Sequence, residues 1–184
     1  MSISKLVQLL ASRSAKRGEF TLSSGRSSSL YIDARLTTMS PEGLALIGQL
    51  GLTALQDSGW QVDSVGGLTL GADPIAYAIA YTSALKGSPI RAFSVRKQTK
   101  AHGMGRLIEG PFQAGDRTAI VEDVITTGGS ALQAAEAVNN AGGVVAGVLA
   151  LVDREEGGRD ALEARGFDVI VLARASDILA QMSA

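Results

Sequence analysis

Residues 118–130 read TAIVEDVITTGGS, and this run decides how the rest of the chain is understood. Three apolar residues, Ala119, Ile120 and Val121, lead into two adjacent carboxylates, Glu122 and Asp123. Val124 and Ile125 then precede Thr126, Thr127, Gly128, Gly129 and Ser130, and the ALQAAEAV that follows is rich in strong helix formers. The order predicts a strand, an acidic turn, a glycine loop and a helix. In an open α/β sheet, ligands bind beyond the carboxyl ends of the strands, where a helix amino terminus offers unpaired N–H groups to an anion. Residues 126–130 would therefore cradle a phosphate, with glycines permitting close backbone approach and hydroxyls adding donors. The run lacks the GxxxxGK signature of a nucleoside-triphosphate loop. Two carboxylates beside a phosphate cradle suit a sugar phosphate, because carboxylates accept hydrogen bonds from vicinal hydroxyls. A strand followed by a Ser-capped helix, with both carboxylates merely solvated, accounts for the same letters.

Upstream, residues 90–95 form an apolar strand pattern that runs into RKQTKAHGMGRLIEG. Arg96, Lys97, Lys100, His102 and Arg106 place five potential cations on a segment with Gly103 and Gly105 as hinges, which reads either as a mobile basic lid or as a solvated surface loop. Earlier still, residues 62–66 read as the first strand of the main sheet. The GLTLGADP that follows is a glycine turn into an Ala-rich helix, able to bind pyrophosphate through backbone N–H groups or to serve only as a tight turn. Ser40-Pro41-Glu42 opens a helix that runs to about Asp57, with Ser40 as cap and Pro41 in the first helical position. Ile3, Leu6, Val7 and Leu10 share one face of an amphipathic helix. Between these two helices, residues 20–22 and 30–33 read as strands of a hairpin with a serine-rich tip.

Downstream, residues 144–152 form a long apolar strand, as a buried parallel strand should, ending in DREEGG. A short helix over 159–165, a strand over 167–172 and a helix over 176–182 complete the pattern. Strands alternating with helices through short glycine turns imply a doubly wound, mostly parallel α/β sheet flanked by helices. The 184 residues read as a single domain, 1–184, with residues 1–60 as an amino-terminal hood.

Composition excludes several function classes. Hydrophobic residues make up 46% and aromatics 4%, so the core is built from Ala, Val, Leu and Ile. Seventeen basic against 18 acidic side chains leave no electrostatic footprint for nucleic acid. Cysteine is absent and there is one histidine, which removes thiol nucleophiles and Cys or His metal clusters and suits a cytoplasmic setting. No apolar run approaches the ~18 residues that span a membrane.

VEDVITTGGS resembles the 5-phosphoribosyl 1-pyrophosphate (PRPP) motif of the type I phosphoribosyltransferases. RKQTKAHG is similar to that family's RKxxKxHG lid, and FTLSSGRSS..YIDAR resembles the segment that covers the base in its orotate-specific branch. The resemblance implies transfer of a phosphoribosyl group from PRPP to orotate. PRPP would be held by Glu122, Asp123, Val124, Ile125, Thr126, Thr127, Gly128, Gly129 and Ser130, and orotate by Thr126 and Arg154. Lys100, His102, Arg96 and Lys97 would be the catalytic cations on the lid. It further implies Mg²⁺ held mainly by PRPP and water, with no direct protein ligand, and a homodimer whose lids act in trans. Two positions depart from the pattern. Some members carry a lysine where this chain has Ser23, and some carry a Tyr-Lys pair where it has Leu70-Gly71. Two rivals remain: a phosphoribosyltransferase for a purine or uracil, which should lack the Arg154 and FTLSSG features, and a PRPP-sensing regulator, which should show a DNA-binding extension or a degraded lid.

Overall fold

The computed structural model describes residues 2–21, 27–98 and 107–182. Helix α1 (Ile3–Leu9) starts where the Ser2 side chain accepts from the Lys5 amide, and it continues as a π-helical turn over Leu10–Ser14. The turn keeps Leu10 and Ala11 inside with Leu6 and Val7, whereas Ile3, expected on the same face, remains 41% exposed. Strand β1 (Ala15–Thr21) pairs antiparallel with β2 (Ser27–Ile32), so the hairpin begins earlier than residue 20. Ser23 lies outside the described residues.

A single helical turn, α2 (Arg35–Thr38), leads to α3 (Pro41–Asp57), where the Ser40 hydroxyl accepts from the Gly43 amide at 3.1 Å and Pro41 occupies the first turn as expected. Helix α3 packs closely on α4 (Ala72–Leu85). A Cβ at Gly48 would strike the Ala78 backbone, and one at Gly51 would strike the Ile79 side chain.

The main sheet is formed by β3 (Ser64–Leu68), β4 (Arg91–Val95), β5 (Ile108–Glu109), β6 (Arg117–Ile125), β7 (Val144–Asp153) and β8 (Val169–Arg174). Their spatial order is β5-β4-β3-β6-β7-β8, parallel throughout except where the short β5 runs antiparallel to β4. Helices α5 (Gly129–Asn140), α6 (Gly158–Glu163) and α7 (Ala175–Gln181) complete the chain.

Both faces of the sheet are covered, and β6 shows how: Ala119 and Val121 point into the core shared with α1, α3 and α4, while Ile120 and Ile125 point into the core shared with α5. The doubly wound arrangement expected from the alternating pattern is what the chain forms. From β3 the chain moves to β4 on one side, and from β6 it moves to β7 and β8 on the other. The switch point between β3 and β6 opens a crevice at the carboxyl ends of both strands.

Candidate functional site

Strand β6 keeps its pairing with β7 through Ile125, so Glu122 and Asp123 belong to the strand rather than to a turn after it. Their carboxylates are therefore held by a backbone that is itself hydrogen-bonded. Glu122 Oε2 is sealed from solvent and has no hydrogen-bond partner among the described residues. Burial, reinforced by the charge of Asp123 and opposed by Lys97, pushes the Glu122 carboxyl up to about 8. Burial also raises Asp123, against the Val124 amide bonded to its Oδ1 at 2.9 Å and the positive charge of Arg35.

The loop after β6 turns through Gly128 in the left-handed region, φ +80°, and Gly128 is the N-cap of α5 with no side-chain cap. Ser130 lies inside the first turn, so a Ser-capped helix is not what forms. With no capping side chain, the amides of the first turn remain available to an anion. The two glycines differ in their task. A Cβ at Gly128 would press on the Gly158 carbonyl and on Leu162, whereas at Gly129 it would meet only Thr127 Oγ1 at 3.7 Å. Gly128 makes the turn possible, and Gly129 leaves the approach to the amides open.

These elements border a cavity of about 350 Å³ at the switch point. The structure brings together Lys97, Glu122, Asp123, Val124, Thr126, Ser130 and Arg154 around it, and sets them opposite the turn at Thr69, Leu70 and Gly71. Thr127, Gly128 and Gly129 form the adjoining rim of the loop rather than the cavity wall. Ile125, expected to contact PRPP, has its side chain in the α5 core at 1% exposure and offers only its carbonyl, which accepts from the Arg154 amide at 2.9 Å. Arg96 is turned away: its guanidinium pairs with Glu109 at 3.3 Å and lines a neighbouring cavity with Asp73, Tyr77 and Ser94. The antiparallel β5, which the sequence reading lacked, supplies that partner. Lys100 and His102 lie outside the described residues.

Arg154 follows β7 directly and is 8% exposed. Its Nη2 donates to the Leu30 carbonyl of β2 at 2.9 Å and pairs with Glu156 at 3.0 Å, fastening the hairpin to the main sheet beside the cavity. The hairpin side adds residues that sequence reasoning left without roles: Tyr31, Ile32, Asp33 and Arg35 all reach the cavity. Phe20 braces Tyr31, with ring centroids 5.4 Å apart. The available signal was the close spacing of Asp33 and Arg35 at the end of a strand. Three cations (Arg35, Lys97, Arg154) and three acids (Asp33, Glu122, Asp123) stand in the wall, and burial favours the proton on Glu122, which lessens the negative charge facing a polyanion.

No family model matches the chain. An orotate phosphoribosyltransferase of Aquifex aeolicus (strain VF5) is 47% identical over 178 residues, 95% of this chain and 96% of its own. Among solved structures, the orotate phosphoribosyltransferase of Mycobacterium tuberculosis H37Rv in complex with Fe(III) dicitrate superposes with a TM-score of 0.84 at 45% identity, covering 96% of this chain and 98% of that one. The same protein in complex with PRPP gives a TM-score of 0.78 at 38% identity, over 96% of this chain and 90% of that one.

Proposed function

The chain belongs to the orotate phosphoribosyltransferases, and from that membership we propose how its cavity carries out transfer of the 5-phosphoribosyl group from PRPP to orotate, giving orotidine 5′-monophosphate and pyrophosphate in pyrimidine biosynthesis. One observation carries the reading: an uncapped helix amino terminus, a half-buried acidic pair and a backbone turn face one cavity, with a buried arginine at its hairpin end. The 5′-phosphate sits on the α5 amides and the hydroxyls of Thr126, Thr127 and Ser130, with Gly128 and Gly129 shaping the cradle. Glu122 and Asp123 hold the ribose hydroxyls, and the backbone through Val124 and Ile125 sets their spacing from the phosphate. The turn at Thr69, Leu70 and Gly71 receives pyrophosphate. Arg154 meets the orotate carboxylate with Thr126 beside the ring, a task suited to the planar, two-pronged guanidinium. The runner-up acceptors, purines and uracil, lack the carboxylate that a buried arginine calls for.

Departure of pyrophosphate from ribose C1 develops positive charge on the sugar and negative charge on the leaving group, as in glycoside cleavage. No covalent nucleophile is needed; the site must neutralise charge and exclude water. Lys97 at the cavity, with Lys100 and His102 on the lid, supplies the cations; Arg96 is held by Glu109 beside a neighbouring cavity. Mg²⁺ seeks oxygen ligands and keeps several waters. The ion would be held mainly by PRPP and water rather than by protein side chains. Mg²⁺ adds positive charge to the pyrophosphate leaving group.

The working unit is a homodimer in which each lid serves the neighbouring cavity, and residues 1–60 act as a hood within one domain, 1–184. An apolar groove of about 460 Å³ between α3 and α4, bordered by Leu44, Tyr77, Tyr81 and Leu85, supports the pairing. Tyr81 and Leu85 are 69% and 70% exposed there, and Tyr77 joins the groove to Ser94 near the lid root through a 2.7 Å hydrogen bond. No helix among the described residues is long and apolar enough to cross a membrane. The enzyme acts in the cytoplasm, without a nucleic-acid partner.

Steady-state rates with orotate, uracil, hypoxanthine and adenine as acceptors test the reading. Orotate should be used at least ~10³-fold better, the scale set by leaving a buried polar group unpaired. Comparable rates with a purine would overturn it. For the lid, Lys100→Ala should lower kcat by ~10²–10³. Mixing it with Asp123→Asn should restore activity through hybrid dimers with one intact site. Confirmed subunit exchange without recovery would mean that the lid works in cis or that Lys100 is not catalytic.

A further inference from the structure

The turn at Thr69, Leu70 and Gly71 offers a pyrophosphate its backbone but no charge, and Leu70 is 55% exposed beside the cavity. A group with several negative charges needs a cation there. Of the three cations in the cavity wall, Arg154 is paired with Glu156, and Lys97 stands at the root of the lid. Arg35 is the third, and it lines the same cavity as the turn. Its charge acts on Asp123, and the Asp123 carboxylate lies so close to Gly71 that a Cβ on that glycine would collide with it.

The side chain is also held in readiness. Arg35 Nε donates to Asp33 Oδ1 at 2.8 Å and Nη2 donates to Asp33 Oδ2 at 3.0 Å, while the Arg35 amide donates to Oδ1 at 3.2 Å. Such a two-pronged pair fixes the plane of the guanidinium. The Asp33 fork occupies Nε and Nη2 and leaves Nη1 with no partner among the described residues. Arg35 remains 48% exposed, whereas Asp33 is only 21% exposed, so the acid is the anchor and the cation the open end.

We infer that Arg35, oriented by Asp33, is the pyrophosphate-binding cation of this cavity, contacting the pyrophosphate group of PRPP and of the product across the uncharged turn. The assignment rests on the cavity being the PRPP site. It makes Arg35 a residue of leaving-group stabilisation contributed by the hairpin side of the crevice and not by the lid. Asp33 is a positioning residue that acts through Arg35.

Calorimetric titration of the full chain with pyrophosphate and, separately, with ribose 5-phosphate, both in Mg²⁺, tests this. Arg35→Ala should weaken pyrophosphate binding by about 10–100-fold, the range for losing a hydrogen bond to a charged group, and ribose 5-phosphate binding by less than about threefold. KM for PRPP should rise in parallel while KM for orotate stays within about threefold. Arg35→Lys should retain part of the affinity, and adding Leu70→Lys to Arg35→Ala should recover part of it by placing a cation on the turn. Unchanged pyrophosphate affinity, or equal losses for both anions, would overturn the assignment while leaving the PRPP site in place. A wild-type chain that binds neither anion would overturn the site and the assignment together.

Discussion

Replacing Glu122 with Gln should make the protein more stable near neutral pH, although it removes a residue of the PRPP site. The carboxyl is raised from 4.5 to about 8, chiefly by burial. In the folded chain it therefore keeps a proton that the unfolded chain releases above pH 4.5. Stability is full below the unfolded value and declines as pH rises through the window from 4.5 to about 8. Each pH unit inside the window costs about 1.4 kcal/mol. Between pH 5 and 7 the loss comes to about 2.5 kcal/mol. Glutamine copies the protonated form and has no such loss. Urea unfolding of both proteins at pH 5, 6 and 7 isolates the effect, because titrating groups that do not interact with Glu122 cancel in the difference and only the neighbouring Asp123 is carried along with it. The variant's advantage should grow by about 2.5 kcal/mol across that range, close to 1 M in urea midpoint for a typical slope. A difference that stays constant with pH would show that Glu122 is ionised in the folded chain, and the unpartnered oxygen would need another explanation.

Three further outcomes follow from the same geometry. Asp123→Asn should lower kcat/KM for PRPP by ~10²-fold or more, since an amide cannot accept from two hydroxyls as a carboxylate does; wild-type values would remove it from the sugar site. Gly71→Ala should abolish PRPP use with little loss of stability, because the added methyl displaces the Asp123 carboxylate at the edge of the cavity; a variant with normal PRPP kinetics would show that the turn gives way freely. Arg154→Ala should raise KM for orotate far more than KM for PRPP, and it should also lower the unfolding free energy by roughly 1–3 kcal/mol because the Leu30 carbonyl and Glu156 lose a buried donor. Equal effects on both substrates would mark Arg154 as a strut alone.

The fold was legible where one local signal decided the outcome. Ser40-Pro41-Glu42 marked the start of α3 to the residue, and the Thr118 to Ser130 run announced strand, loop and helix, although the acidic pair expected in a turn belongs to the strand. Boundaries slipped where tertiary pairing decided them. Strand β3 begins at Ser64 and not at Val62, because the Asp63 backbone bonds to Arg91 and Arg117 as an entry clamp before the ladder starts. The two-residue β5 has too few letters to carry a period, and without it Arg96 looked like a free lid cation. In the cavity, residues close in sequence around β6 could be read together; the resemblance of YIDAR put its segment over the base, but the separate parts of Asp33 and Arg35 were not legible, because they depend on contacts with a strand 90 positions away.

The seam between β3 and β6 also sets when the site can exist during folding. Ser64 Oγ and Thr118 Oγ1 meet across it at 2.9 Å, 54 residues apart in sequence. Closing that long loop is an entropic barrier that helices and hairpins do not face, and high contact order slows the step. Helical signal should therefore return early on dilution from urea, whereas catalytic competence must wait for the two halves of the sheet to join. Activity should be a late reporter, because the cavity needs β3, β6 and the hairpin in place together, which secondary structure alone does not require.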